Sequence, residues 1–147
     1  MCAAIRSEPK PLILVVEDEE ELAKLIAIHL EEAGMQAQIY NRCAHALRFL
    51  KRNFANLILL DVHLTDLHGF EVLERLQGDS RTVDIPVVVL SADATTWQRR
   101  RFRNAGVYDY LSKPLDLQQL LDVIDQHLGA GAASKVIANA PERLGTF

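Results

Sequence analysis

The sequence predicts an α/β fold: a five-stranded parallel sheet, doubly wound, with helices on both faces. Three observations carry this. Five short apolar runs alternate in strict order with amphipathic stretches, giving five βα units. The runs at 12–16, 57–60 and 85–90 are mostly continuous rather than alternating, as strands covered on both faces are. The length, 147 residues, fits one domain that can bury a core without a metal or disulfide staple.

The elements follow in order. Residues 1–10 are a polar leader, expected to be flexible. Leu12-Ile13-Leu14-Val15-Val16 is a partly β-branched strand. Over 19–33, Leu22, Leu25, Ile26, His29 and Leu30 fall on one helical stripe, and Gly34 offers a stop. The 36–40 strand is less apolar and suits a place next to the sheet edge. Asn41 is positioned to cap a helix carrying Cys43, Ala46, Leu47 and Leu50. The run 57–60 is wholly apolar, so central. A loop from Asp61 to Gly69 leads to a short helix over 70–77, with Leu73 and Leu76 inward, broken by Gly78-Asp79-Ser80. A strand over 85–90 tolerates Pro86 at its start. A basic helix over 95–104 ends at Ala105-Gly106, and 107–110 is the fifth strand. Leu117, Leu120, Leu121, Ile124 and Leu128 form the stripe of a last helix, with Asp116 as its cap. From 129 the composition turns to Gly, Ala and Ser, so 129–147 is expected to be a flexible tail.

Bulk properties narrow the function classes. A net charge of −4 argues against nonspecific nucleic-acid binding by the whole surface. The two cysteines, Cys2 and Cys43, form no CxxC or Cys/His ligand spacing, which suits a reducing compartment. The apolar runs are far shorter than the roughly 20 residues a membrane span needs. The N-terminus has no signal-peptide apolar region. A soluble, cytoplasmic protein without membrane partners is expected.

The chemistry lies where the runs end. The first stops at Glu17-Asp18-Glu19, the third at Asp61, the fourth at Ser91, and Lys113-Pro114 follows the fifth. Ligands of open α/β sheets bind outside the carboxyl ends of the strands, so these groups gather on one rim. Each has a plainer explanation. Glu17, Asp18 and Glu19 suit the first turn of a helix, with Asp18 as cap and Glu21 closing a capping box. Asp61 suits a turn, and Lys113 a solvated surface. Their joint occurrence favours a site. Clustered carboxylates repel unless a hard divalent cation neutralises them. Asp61 is the nucleophile candidate, able to form an acyl phosphate. Lys113 supplies a point charge, and Ser91 a hydrogen bond, to phosphoryl oxygens.

The strings LILVVEDEEEL, LLDVHLTDLHGFEVL, IPVVVLSADA and AGVYDYLSKPLD, in that order over 11–128, resemble the response-regulator receiver domain of two-component signalling. The resemblance implies a flavodoxin-like (βα)5 fold with strand order 2-1-3-4-5. It implies that Asp61 is the phosphoacceptor and that Glu17 and Asp18 form the acidic pair, Asp18 being a direct Mg2+ ligand. The backbone carbonyl of His63 would be a further ligand, and Mn2+ a substitute ion. Ser91 would be the switch hydroxyl, Tyr110 the aromatic switch and Lys113 the conserved-type lysine. Implied partners are a histidine kinase or histidine phosphotransfer protein, an output protein of unknown identity, and a second copy of the chain. Such a domain catalyses only its own phosphorylation and dephosphorylation. The chain departs from the pattern at Thr65, where proline is usual, and at Glu17, where aspartate is commoner. His63 and Asp93 occupy positions that tune hydrolysis of the acyl phosphate in the family.

Other readings fit less well. A haloacid-dehalogenase-type phosphatase needs a second aspartate where His63 stands. A flavodoxin needs a Ser/Thr/Gly-rich phosphate loop where this chain is acidic. A pseudo-receiver that binds partners without phosphorylation, and the receiver segment of a hybrid histidine kinase, stay as alternatives; Met1 and the leader favour an independent chain. Among the histidines, His29 reads as packed, His63 and His68 as solvated loop residues, and His45 and His127 as ordinary helix residues. The helix holding Trp97, Arg99, Arg100, Arg101, Phe102 and Arg103 reads as solvated, with Trp97 and Phe102 partly packed, ahead of an output or dimer surface. No helix-turn-helix segment is present, so direct nucleic-acid binding is not expected.

Overall fold

A computed structural model describes residues 9–64, 66–93 and 95–128. The elements are β1 (Leu12–Val16), α1 (Glu20–Glu32), β2 (Gln36–Tyr40), α2 (Cys43–Leu50), β3 (Leu57–Asp61), α3 (Gly69–Gln77), β4 (Val87–Ser91), α4 (Thr96–Asn104), β5 (Asp109–Ser112) and α5 (Leu117–Leu128). The expected leader (mostly) and tail, together with Cys2 and Thr65, lie outside the described residues.

The sheet order is β2-β1-β3-β4-β5, and every neighbouring pair is parallel. Alternate side chains feed two cores. Leu14, Val16, Ile58, Leu60, Val87 and Val89 pack against α2, α3 and α4. Ile13, Val15, Leu57, Leu59, Val88 and Leu90 pack against α1 and α5. Since both faces are covered, β3 and β4 are buried along their whole length, which is why their sequences show no alternation. Each buried branched side chain contributes about 1.5–3 kcal/mol relative to exposure.

Several boundaries differ from the expected ones, for identifiable reasons. β4 begins at Val87, not at residue 85; Pro86 precedes the strand and only its carbonyl pairs, with Ile58 N at 3.0 Å. β5 begins at Asp109 rather than 107. Gly106 adopts φ +98°, and Val107 N donates back to Phe102 O at 3.3 Å, so Val107 finishes α4 instead of opening the strand. The buried stripe of α1 runs through Ala23, Ile26 and Leu30, while Leu25 is 43% exposed.

The caps also differ. Asp18 does not cap α1: Glu19 holds the cap position without a side-chain bond. Asn41 does not cap α2; the carboxylate of Asp66 reaches over from the β3–α3 loop instead, accepting from Cys43 N and Ala44 N at 3.0 Å each. Asp116 does cap α5, accepting from Gln118 N at 3.0 Å and Gln119 N at 3.3 Å. On α4, Thr95 Oγ1 accepts from Gln98 N at 3.2 Å, Phe102 is wholly buried, and Trp97 is 65% exposed. The Lys113–Pro114 peptide bond is cis.

Candidate functional site

Parallel pairing brings the carboxyl ends of β1, β3, β4 and β5 to one rim. Val16 is in register with Leu60, Asp61 with Leu90, and Ser91 with Ser112. Glu17 therefore leaves β1 beside Asp61, the last residue of β3, and Lys113 leaves β5 at the same level.

These three groups meet. Lys113 Nζ lies 3.2 Å from Glu17 Oε1 and 3.3 Å from Asp61 Oδ2. Glu17 is 1% exposed and Asp61 4% exposed. The other Asp61 oxygen, Oδ1, accepts from His63 N at 3.0 Å, which holds the carboxylate plane. Glu17 Oε2 accepts from Glu19 N at 3.1 Å. Burial, and then the Asp61 charge, push the Glu17 carboxyl up to about 7. Burial works against the Lys113 charge, but the Asp61 and Glu17 carboxylates outweigh it and raise its pKa.

One ammonium thus faces two buried carboxylates, and exposed Asp18 adds a third. One ligand oxygen from each of Glu17, Asp18 and Asp61 can be chosen so that all lie within 4.8 Å of one another. Glu17 Oε1 is buried and, despite the nearby ammonium, has no aligned hydrogen-bond partner among the described residues. The residues present therefore fit a hard divalent cation, because they leave negative charge and an open oxygen in a place water hardly reaches.

Ser91 and Tyr110 share a second cluster. Asp93 N donates to Ser91 Oγ at 3.0 Å, and the Tyr110 hydroxyl donates to Asp93 O at 2.5 Å. Tyr110 is buried, and that burial, foremost, raises its pKa. Its ring lies 5.6 Å from that of Phe102 and carries the Arg99 guanidinium at 5.2 Å. All the residues expected at the site except Tyr110 lie on the rim, and Tyr110 reaches it through the Asp93 carbonyl.

Two contributors escaped the sequence reading. His68 is not merely a solvated loop residue. Its Nδ1 accepts from Phe70 N at 3.2 Å, and Glu71 accepts from His68 N at 3.3 Å, so it caps α3 reciprocally. An unusual His at the cap position concealed a pattern that its Glu three residues on half disclosed. Asp66 is the second, since its tie to α2 crosses between elements. Its burial opposes the charge, but the Ala44 and Cys43 N–H groups win and hold its carboxyl below the usual range. Gly69 completes the loop: a Cβ there would stand 2.9 Å from Val62 Cγ1, so only glycine lets α3 start this close to β3.

Comparison with known proteins fits this geometry. A family model described as "Response regulator receiver domain" matches residues 13–125. The chain is 34% identical over 111 residues to the DNA-binding dual master transcriptional regulator RpaA of Synechocystis sp., covering 76% of this chain and 46% of RpaA. It is 30% identical over 117 residues to the polar-differentiation response regulator DivK of Brucella ovis, covering 80% of this chain and 95% of DivK. Among solved structures, the Francisella response regulator 1452 receiver domain superposes with a TM-score of 0.72 at 28% identity, covering 78% of this chain and 94% of that one. The chain thus spans about half the length of RpaA and nearly all of DivK.

Proposed function

The chain belongs to the response regulator receiver domain family, and from that premise we propose that it is a phosphorylation-dependent switch of a two-component phosphorelay. Asp61 accepts a phosphoryl group from a histidine kinase or histidine phosphotransfer protein, with Mg2+ or Mn2+ at the acidic rim. The observation that carries this is the buried Asp61 carboxylate with Lys113 Nζ 3.3 Å from one oxygen and an amide on the other.

A carboxylate oxygen of Asp61 attacks phosphorus, the phosphorus–nitrogen bond of the donor phosphohistidine breaks, and a proton returns to the leaving imidazole. The product is an acyl phosphate. Lys113, already beside the attacking group, pairs with a phosphoryl oxygen as charge builds there. Glu17, Asp18, Asp61 and the His63 carbonyl would hold the cation, which would neutralise charge on the phosphoryl oxygens. Ser91 Oγ turns toward another phosphoryl oxygen and gives up the Asp93 amide. That frees the turn whose carbonyl holds the Tyr110 hydroxyl, so the population of Tyr110 packings shifts. The same site hydrolyses the acyl phosphate; no separate substrate is turned over. Residues 11–128 form the receiver unit, working in the cytoplasm. No described helix is long and apolar enough to cross a membrane.

Intact mass after incubation with acetyl phosphate tests this. A gain of about 80 Da that needs both Mg2+ and Asp61, and is absent in Asp61→Asn, is expected. No adduct on folded protein, with rapid hydrolysis excluded by trapping, overturns the reading in favour of a pseudo-receiver.

A further inference from the structure

The outer end of α4 carries a cluster that the phosphoryl site does not use. The Arg101 guanidinium lies 4.3 Å from the centroid of the Phe70 ring and 4.7 Å from that of Trp97. Stacking engages the faces of a guanidinium and leaves its in-plane N–H groups to bind elsewhere. Arg101 is exposed, and no carboxylate lies within ion-pair distance of it, or of exposed Arg100, among the described residues. Arg99, by contrast, is occupied by the Tyr110 carbonyl at 3.2 Å. Trp97 is 65% exposed, an unusual cost for the largest side chain in the molecule.

We propose that the Trp97–Arg101–Phe70 cluster, on the α3–α4 face, is a docking site for an acidic peptide segment of a partner protein. The partner's carboxylate meets the planar N–H fork of Arg101, and an apolar neighbour covers Trp97. Charge complementarity selects this occupant. The α4 helix holds four arginines and no acid, in a chain whose net charge is −4. Glu71 and Glu74 are exposed on α3, close in sequence to Phe70. Their charges would repel the run of phosphates in a nucleic acid more than the single carboxylate of a short peptide. A preorganised guanidinium beside an exposed indole is also the combination that concentrates binding energy at interfaces.

The cluster connects inward. Phe70 stacks on Phe102 with centroids 4.2 Å apart and planes 10° from parallel, and Phe102 leans on Tyr110 at 5.6 Å. The Phe70 ring also lies parallel to that of His68, with centroids 5.6 Å apart and planes 7° from parallel, within the loop that follows Asp61. A change at either the Asp61 loop or Tyr110 would therefore act on a ring that Arg101 rests on. This coupling rests on the switch reading above; the docking site itself does not.

The test begins with selection of displayed random peptides on immobilised protein, wild type beside Arg101→Gln and Arg101→Lys. The best peptide is then titrated while Trp97, the chain's single tryptophan, reports by fluorescence. Enriched peptides are expected to hold Asp or Glu beside an apolar residue. Replacing that acid by its amide, which leaves the protein untouched, should weaken binding roughly tenfold or more. Arg101→Lys should lose as much as Arg101→Gln, because lysine keeps the charge without the planar fork. Absence of acidic enrichment, full binding by Arg101→Lys, or tighter saturation by a single-stranded oligonucleotide overturns the proposal. Parallel titrations with acetyl phosphate, read by intact mass, keep the two readings apart. An Asp61 adduct without acidic-peptide binding sinks the docking site alone. Peptide binding without any adduct sinks the switch alone. An adduct that leaves peptide affinity unchanged sinks the coupling.

Discussion

Glu17 and Asp61 share one ammonium, and the metal-free protein bears the resulting repulsion. The sign of its pH dependence follows from Glu17. Its folded pKa, about 7, exceeds the ordinary 4.5, so the folded chain holds a proton that the unfolded chain releases between those values. Stability of the cation-free protein should therefore fall as pH rises from about 4.5 to about 7 and level off above. Glu17→Gln should flatten that slope and stabilise the cation-free protein near pH 8, read by urea unfolding with chelator present. A steeper slope in the variant would mean that another group controls it. These rim residues were legible because strand ends are legible: an apolar run that stops at an acid marks both the strand and the polar group it delivers to the rim. Asp66 and His68 were not. Their roles depend on which backbone N–H groups come near in space, and no local spacing encodes Asp66 meeting the start of α2.

Between elements, the second half of the β3–α3 loop is tied twice, by Asp66 to α2 and by His68 to α3. Asp66→Ala should cost about 1 kcal/mol, the usual worth of a cap. It should also speed hydrogen exchange at the Cys43 and Ala44 amides while leaving α5 amides unchanged. The Asp66 contribution is present above its unfolded pKa and fades as pH falls below it, since its folded pKa is lowered. On α4, Phe102 is wholly buried between Phe70 and Tyr110. Phe102→Ala should cost about 3–5 kcal/mol in denaturant unfolding. The type and order of all ten elements could be read from periodicity and breakers. Their ends could not, because tertiary bonds decide them. Val107, apolar and β-branched, reads as strand, but Gly106 turns it back onto Phe102. Leu25 reads as core by spacing, yet the sheet meets α1 through Ala23, the smaller residue that permits closer approach.

For the whole molecule, a cation bound by Glu17, Asp18 and Asp61 would bind the folded chain alone, since the three carboxylates converge only there. Mg2+ at about a hundredfold its dissociation constant should then add about 2.7 kcal/mol to unfolding free energy. Calorimetry should show the melting temperature rising with Mg2+ and reverting with chelator. The rise should shrink in Asp61→Asn; an equal rise there would place the ion elsewhere.

The strand order has a kinetic side as well. No pair in this sheet can close as a hairpin. Ile13 finds Leu57 only with all of α1, β2 and α2 between them. Long-range pairing of this kind is slow. While it proceeds, Leu57-Ile58-Leu59-Leu60 is exposed as a short, uncharged, strand-forming segment, of the sort that associates with its copies. The first charge to interrupt it is Asp61 itself. Asp61, the proposed phosphoacceptor, would thus also serve as a gatekeeper during folding, and the Asp61→Asn chain, neutral at that position, should aggregate more readily on refolding than the native one.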